Sequence, residues 1–158
     1  MKYIYGSFEE EQIFIETDDE GYPIRQINIE NNNTSVSCRT DCLAEGPILI
    51  DQLEGEFNII NKNVFFLQWE KAIKNYRKSW NNNKQIYTLN KSVLCSLKYF
   101  YPQGMILGLD NAQGICRKWS KSIPKTILYP NTSFQGIVSG YDEDNLWIEI
   151  SDIRLVEN

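Results

Sequence analysis

Histidine is absent from the 158-residue sequence. Because its unperturbed pKa lies nearest neutrality, histidine is the commonest general base and the usual activator of serine and cysteine nucleophiles. Its absence excludes triads of the Ser/His/Asp and Cys/His kinds, and glycine-rich phosphate loops of either standard spacing are also missing. We therefore predict that the protein is not an enzyme. The alternative that stays open is a Mg²⁺-dependent or carboxylate-pair hydrolase, which needs only acidic side chains.

The cysteines lack the spacing of a zinc site. Cys38 and Cys42 are near each other in the sequence, whereas Cys95 and Cys116 stand alone. A structural zinc site needs a second thiolate pair or histidines. We predict buried free thiols, no metal and no cofactor. A Cys38–Cys42 disulfide is the alternative, although it would be unusual in a reducing compartment.

Long apolar runs are missing too. No segment approaches the ~20 apolar residues needed to span a bilayer, so we predict no membrane association. The first fifteen residues include Glu9, Glu10 and Glu11 and lack the basic start and apolar stretch of a secretory peptide. We therefore expect a cytoplasmic protein.

What the sequence does contain is alternating apolar and aromatic residues, which are typical of strands. The alternation predicts strands at residues 2–5, 12–16, 24–30 and 35–39, with breaks at 17–21 and 31–33. Further strands are predicted at 93–98, 105–109, 115–119, 134–141 and 146–150.

One amphipathic helix is predicted between about residues 63 and 80. Asn63 has the side chain of an N-cap, and an Asn triplet at 81–83 would end the helix. Apolar residues recur at steps of three and four, which indicates a face that packs on the sheet. These residues are Phe66, Trp69, Ile73, Tyr76 and Trp80.

The sequence thus predicts a mainly β (α+β) protein: a coiled antiparallel sheet or small barrel with one amphipathic helix packed on it. We expect a single domain, 1–158, with possible divisions into an acidic β half at 1–60, the helix at 61–82 and a second β half at 83–158. Residues 90–152 resemble an OB-type barrel of the S1 kind. The shared features are the bend at Tyr101-Pro102-Gln103-Gly104, the turn to Gly114-Ile115 and a final hairpin opening at Gly136-Ile137-Val138.

Charge is distributed unevenly along the chain. Residues 1–60 hold 13 acidic and 3 basic side chains, residues 61–125 hold 2 acidic and 12 basic, and residues 126–158 hold 6 acidic and 1 basic. One interpretation is that these segments neutralise one another in the fold. The other is that one of them forms a functional face.

Acidic residues cluster at three predicted turns, and aromatic residues flank two of them. Gathered at one end, these turns would steer a basic partner to its site, and the rings would anchor it. An ordinary solvated turn is the alternative for each cluster. The predicted partner-binding residues are Glu9, Glu10, Glu11, Asp18, Asp19, Glu20, Tyr22, Tyr141, Asp142, Glu143, Asp144 and Trp147.

Basic residues mixed with aromatic rings in the second β half point to a different partner. Cations hold phosphates and exposed rings stack bases, which is what single-stranded nucleic acid requires. The alternative nucleic-acid-binding residues are Lys98, Tyr101, Arg117, Lys118, Trp119 and Lys121.

The overall profile resembles the immunity proteins of bacterial toxin systems, such as those of contact-dependent growth inhibition. The shared features are a small, acidic, cofactor-free chain, rich in tyrosine and asparagine, with no catalytic motif. The resemblance implies a protein that binds a basic, nuclease-type toxin and neutralises it. An RNA-binding protein that uses the OB-like barrel is the second hypothesis.

Overall fold

The computed structural model describes residues 1–119, 123 and 128–156 and confirms the predicted fold class, a mainly β protein with helix packed on β structure. The chain divides into two compact units, Met1–Asn75 and Tyr76–Asn158. We call them the N-terminal and C-terminal units. Their boundary lies within the helical segment, so each unit has a helix of its own, whereas the sequence placed possible divisions at residues 60 and 82.

The N-terminal unit is built on a five-stranded antiparallel sheet in the order β4-β3-β2-β1-β5. Its elements are β1 (Lys2–Phe8), β2 (Glu11–Thr17), β3 (Pro23–Glu30), β4 (Asn33–Val36), a 3₁₀ turn (Ile50–Gln52), β5 (Glu56–Ile59) and helix α1 (Lys62–Ile73). The fourth strand was predicted at 35–39 and starts earlier. The reason is a two-residue turn in which Asn31 and Asn32 both adopt positive φ, the geometry of tight hairpins.

Helix α1 packs on one face of this sheet. The ring of Tyr3 lies 5.5 Å from that of Phe65, and Phe65, Trp69 and Ile73 are fully buried. The predicted stripe used Phe66 in place of Phe65. The N-cap was also misplaced, because the side chain of Asn61 accepts the hydrogen bond from the backbone N–H of Asn63, at 2.8 Å.

The predicted single helix is interrupted. After α1, a 3₁₀ turn covers Lys74–Tyr76, and helix α2 follows at Arg77–Ile86. Tyr76 is exposed and does not belong to the buried stripe. The Asn triplet lies inside α2, because Asn83 is buried and donates to the carbonyl of Asn111 at 2.8 Å, a tertiary contact that offsets its poor helix propensity. Among the helices in the described ranges, none is both long and apolar enough to cross a bilayer.

The C-terminal unit is a closed five-stranded barrel in the order β10-β8-β7-β6-β9. Its strands are β6 (Ser92–Tyr101), β7 (Gly104–Gly108), β8 (Gln113–Cys116), β9 (Ser133–Asp142) and β10 (Trp147–Leu155). Neighbouring strands are antiparallel except β8 and β10, which pair in parallel, so the antiparallel prediction is wrong for this pair.

The bend predicted at residues 101–104 joins β6 to β7. Tyr101 pairs with Gly104 across a two-residue turn, and Gly104 has a φ of +150°. A side chain at Gly104 would place its Cβ 2.6 Å from the carbonyl oxygen of Cys116. Glycine is therefore required where β7 approaches β8.

Candidate binding surface

Two hairpin turns lie at the same end of the N-terminal sheet. The β1–β2 turn contains Glu9 and Glu10, and the β3–β4 turn follows Glu30. Glu11 at the start of β2 pairs directly with Glu30 at the end of β3. The register thus brings four glutamates together, and we call Glu9, Glu10, Glu11 and Glu30 the acidic end.

The described part of the chain provides no ion-pair partner for the acidic end. All four side chains are exposed, and within residues 1–119, 123 and 128–156 no lysine or arginine forms an ion pair with any of them. Directly opposed residues in an antiparallel pair have Cβ atoms about 5 Å apart, and like charges at this distance are destabilising. Glu11 and Glu30 therefore produce a negative field that no ion pair in the described residues neutralises.

A groove of about 330 Å³ lies beside the acidic end. Phe8, Ile13 and Phe57 provide apolar surface in it, and Asn28, Asn33 and Ser35 provide polar groups together with Glu11 and Glu30. Sequence reasoning did not select Glu30, Phe8 or Phe57. The missing information was the strand register, which alone places residues distant in sequence around one groove.

The β2–β3 turn lies at the opposite end of β2, about 20 Å from the acidic end at the usual rise per residue. Asp18 has a structural role there, since its carboxylate accepts hydrogen bonds from the backbone N–H groups of Glu20 (3.0 Å) and Tyr22 (2.8 Å). Asp19 pairs with the N-terminal amine of Met1, which lowers the pKa of the aspartate. Tyr22 is exposed. The two acidic turns of this unit are therefore separate.

The acidic β9–β10 turn is neutralised within the C-terminal unit. Asp142 accepts a hydrogen bond from the Arg117 guanidinium at 2.6 Å and another from the backbone N–H of Asn145 at 2.9 Å. The hydroxyl of Tyr141 donates to the carbonyl of Tyr87 at 2.9 Å. Asp144 is exposed at the tip of the turn. These contacts hold the turn to its own barrel.

The predicted contact between Trp147 and a partner is wrong. Its side chain is only 1% exposed, and its ring lies 6.4 Å from that of Tyr101 inside the barrel. Trp147 thus stabilises the core and cannot anchor a partner at the surface of the folded unit.

Glu143 connects helix α2 to the β9–β10 turn. Its carboxylate accepts hydrogen bonds from the Lys84 ammonium at 2.6 Å and from the indole N–H of Trp80 at 2.7 Å. Partial burial raises the pKa of Glu143, but the hydrogen bonds from Lys84 and Trp80 and the charges of Lys84 and Arg77 lower it further, so the net pKa is below the usual value. The charged form is therefore favoured in the fold.

We expect Glu143→Gln to destabilise the C-terminal unit by about 0.5–1 kcal/mol at neutral pH, a small value because water screens this half-exposed pair. A lowered folded-state pKa means that the stabilisation is complete above the unfolded-state pKa and is lost as the pH falls through the folded value. Urea denaturation of the wild type and variant should therefore differ at pH 7 and converge as the pH falls below the folded-state pKa of Glu143. The exposed Asp110→Asn serves as the control, and an unchanged difference at acid pH would contradict this account.

Two of the alternative nucleic-acid residues are not available as predicted. Tyr101 is 8% exposed and packs in the barrel, so it cannot stack a base. Arg117 is bound to Asp142 and lies 3.6 Å from Glu149. The predicted stacking role of Tyr101 is therefore wrong. The carboxylates beside Arg117 reduce the positive charge that this residue offers to phosphate. Lys121 lies outside the described residues.

The remaining members of that set do reach the surface. Lys98 and Lys118 are exposed, and Trp119 is 37% exposed. The Trp119 ring lies 5.9 Å from that of Phe100, which is 46% exposed. This exposed ring pair is the feature of the C-terminal unit best suited to stacking.

The N-terminal unit contains a buried ion pair that was not predicted from the sequence. Arg25 donates to Glu16 at 2.8 Å, with side chains 13% and 3% exposed. The guanidinium also lies over the rings of Phe66 and Trp69, 5.2 and 5.7 Å from their centroids. Burial and the neighbouring Glu16 raise the pKa of Tyr3 on β1. The pair joins the sheet to α1 and is structural.

The four cysteines are free thiols, with Cys38, Cys95 and Cys116 buried. Burial raises the pKa of Cys38 and of Cys95 to about 12, which leaves these thiols protonated and unreactive at neutral pH. In the part of the chain that the structure describes, no group of three or more acidic or cysteine side chains could hold a metal ion.

Comparison with known proteins identifies no family: no protein-family model matches the chain, and no curated protein is similar to it. A proposal of function therefore rests on the geometry and charge of the two units.

Proposed function

We propose that the protein is a non-catalytic binding protein that neutralises a basic protein partner, in the manner of an immunity protein acting on a nuclease-type toxin. The observation that carries the proposal is a contrast between two acidic surfaces. The acidic end is exposed and forms no ion pair with the described lysines and arginines, whereas Asp142 and Glu143 are bound by arginine and lysine of their own unit.

The charges of the two units support this proposal. Residues 1–75 hold 14 acidic and 6 basic side chains, a net charge of −8, whereas residues 76–158 hold 7 acidic and 10 basic, a net charge of +3. A net charge of this size on a small unit attracts a basic surface over several ångströms and speeds the encounter. The N-terminal unit is therefore the one that we assign to partner binding.

The mode of neutralisation follows from the chemistry of nucleases. A surface that binds phosphates is basic, and carboxylates on a complementary surface can occupy the positions of those phosphates. An acidic hairpin end bordered by apolar side chains provides both the charge and the area for such a contact. We place this binding in the cytoplasm, where a nucleic-acid-degrading toxin would act.

The test uses affinity capture from the native cell with the full chain as bait. A variant with Glu9, Glu10, Glu11 and Glu30 all changed to glutamine should lose at least ~10-fold in affinity for the captured basic partner, because each tenfold requires about 1.4 kcal/mol and four charges are removed. The binding of the wild type should weaken with salt, and the salt dependence of the variant should be smaller.

A matched control removes the same number of charges elsewhere in the unit. Glu20→Gln, Asp41→Asn, Glu45→Gln and Asp51→Asn change four exposed carboxylates outside the acidic end. If both fourfold variants bind the partner as the wild type does, the acidic end is not the binding surface.

Nucleic acid is the second candidate, and two observations favour it. The barrel has the strand order 1-2-3-5-4-1 with a parallel pair between its third and fifth strands, the connectivity of an OB-type barrel, and Phe100 and Trp119 form an exposed ring pair. The face that such barrels use lies on the second and third strands, however, and β7 is buried from Gly104 to Leu107. Recovery of salt-released RNA without a protein partner in the capture experiment would favour this candidate.

A further inference from the structure

We propose that the groove beside the acidic end receives an arginine side chain of the basic partner, between the carboxylates of Glu11 and Glu30 and the rings of Phe8 and Phe57. The inference rests on the proposed function and adds the chemistry of the contact. It concerns the sheet face opposite helix α1.

The strand register defines this face. Residues that pair across antiparallel strands point to the same side, and side chains alternate along each strand. Tyr3 contacts α1, so the side chains of Gly6 and Phe8 belong to the opposite face. One row across the sheet there reads Phe57, Gly6, Ile13, Asn28 and Ser35, and the next reads Phe8, Glu11, Glu30 and Asn33.

The absence of a side chain at Gly6 lets the ring of Phe57 lie across β1 and border the groove. The ring of Phe57 lies over Gly6 at the position that a Cβ atom would occupy. Ile13, the neighbour of Gly6 on β2, is half-buried and forms apolar floor. The resulting volume of about 330 Å³ is roughly ten times the share of liquid volume of one water molecule, so it has room for a long side chain.

Charge complementarity determines the sign of the occupant. Glu11 and Glu30 are directly opposed across the β2–β3 pair, and a cation between them would be attracted by both carboxylates at once. The site therefore favours a positively charged side chain over an uncharged one. A neutral or acidic side chain gains nothing from this arrangement.

The rings favour arginine over lysine. A guanidinium is planar, stacks on aromatic faces and donates through five N–H groups to carboxylates, whereas an ammonium is a compact and strongly hydrated charge. Phe8 is exposed and Phe57 half-exposed, and both lie among the residues that line the groove. A side chain that combines a flat cation with an apolar stem matches both parts of the surface.

The experiment titrates the ¹⁵N-labelled full chain with three capped Gly-Ser peptides that differ only at two positions, which hold arginine, lysine or citrulline. The arginine peptide should shift the backbone amide signals of Ile13, Asn28, Glu30 and Asn33 in a saturable manner. We expect lysine to bind at least ~3-fold more weakly and citrulline, the uncharged isostere of arginine, to cause no saturable shift.

Two variants test the walls of the groove. Glu30→Gln should lower the affinity for the arginine peptide several-fold, and Phe57→Ala should abolish the preference for arginine over lysine. Glu20→Gln, at the opposite end of the sheet, should leave both affinities unchanged. The dispersion of the amide spectrum verifies that each variant is folded.

Equal shifts at exposed carboxylates elsewhere, such as Asp41 and Glu45, or equal affinity for arginine and lysine with no effect of Glu30→Gln, would overturn the inference. The proposed function is tested separately. If the peptide does not enter the groove but the fourfold variant at the acidic end still loses the captured partner, the function stands and the arginine site does not. If the peptide enters but that variant keeps its partner, the acidic end is not the surface that binds the partner, and neither the arginine contact with that partner nor the assignment of the proposed function to this surface holds.

Discussion

Replacing Glu16 by glutamine should destabilise the N-terminal unit by about 3 kcal/mol, near the lower end of what is measured when one member of a buried ion pair is removed. Glu16 is 3% exposed, and its carboxylate lies 2.8 Å from the guanidinium of Arg25. Glutamine has nearly the same shape as glutamate, so the loss of stability would come from the missing charge and not from altered packing. In the variant, the Arg25 guanidinium would stay largely desolvated under α1 and would lose the charged partner that now lies 2.8 Å away.

A double-mutant cycle separates the pair from its surroundings. Arg25→Met keeps an apolar stem against Phe66 and Trp69, and the double variant with Glu16→Gln contains no buried charge at this position. We expect the double variant to be more stable than Glu16→Gln alone. Hydrogen exchange of the β1–β3 amides measures the stability of this unit specifically. Additive effects of the two substitutions would contradict the coupling.

In the C-terminal unit, Trp80→Ala should lower the free energy of unfolding by about 3–5 kcal/mol, the range for removal of a buried aromatic side chain. Trp80 is fully buried on α2, its ring is perpendicular to that of Tyr141 at 6.1 Å, and its indole N–H donates to Glu143. The substitution thus removes both the packing and the hydrogen bond that join the helix to the β9–β10 turn.

Trp80→Phe distinguishes these contributions. Phenylalanine retains most of the apolar contact with Tyr141 but has no N–H for Glu143, so the expected loss is about 1–2 kcal/mol in addition to any small cavity. Chemical denaturation followed by near-ultraviolet circular dichroism measures both variants. If Trp80→Ala and Trp80→Phe are equally destabilised, the hydrogen bond and not the packing determines the stability of this contact.

Most strands were predictable because their signal is local, although β5 (Glu56–Ile59) was not predicted. Alternation of apolar residues at Ile13 and Ile15, or at Ile27 and Ile29, depends on no distant part of the chain. The continuation of the helical segment to Ile86 was not predictable, since the burial of Asn83 depends on its contact with Asn111, far away in sequence. For the same reason Phe65 and Phe66 could not be distinguished before the position of Tyr3 was known.

The candidate surface was predictable only in part. The exposed glutamates of the β1–β2 turn were selected from sequence, but their partner Glu30 follows from the β2–β3 register. The separation of the first two acidic turns has a simple cause: successive turns of an antiparallel meander alternate between the ends of the sheet. Trp147 was misjudged because adjacency to a turn does not reveal burial, and a closed barrel covers the first residue of β10.

The two outer strands of the N-terminal sheet, β4 and β5, are only four residues long. An outer strand exposes unpaired backbone groups, and short length and charged side chains are common protections against pairing with another molecule. Glu56 begins β5, and Glu30 ends the strand beside β4. The negative charge that we propose to attract a basic partner would therefore also keep copies of the chain apart at high concentration, and a partner that cancels this charge would remove part of that colloidal protection.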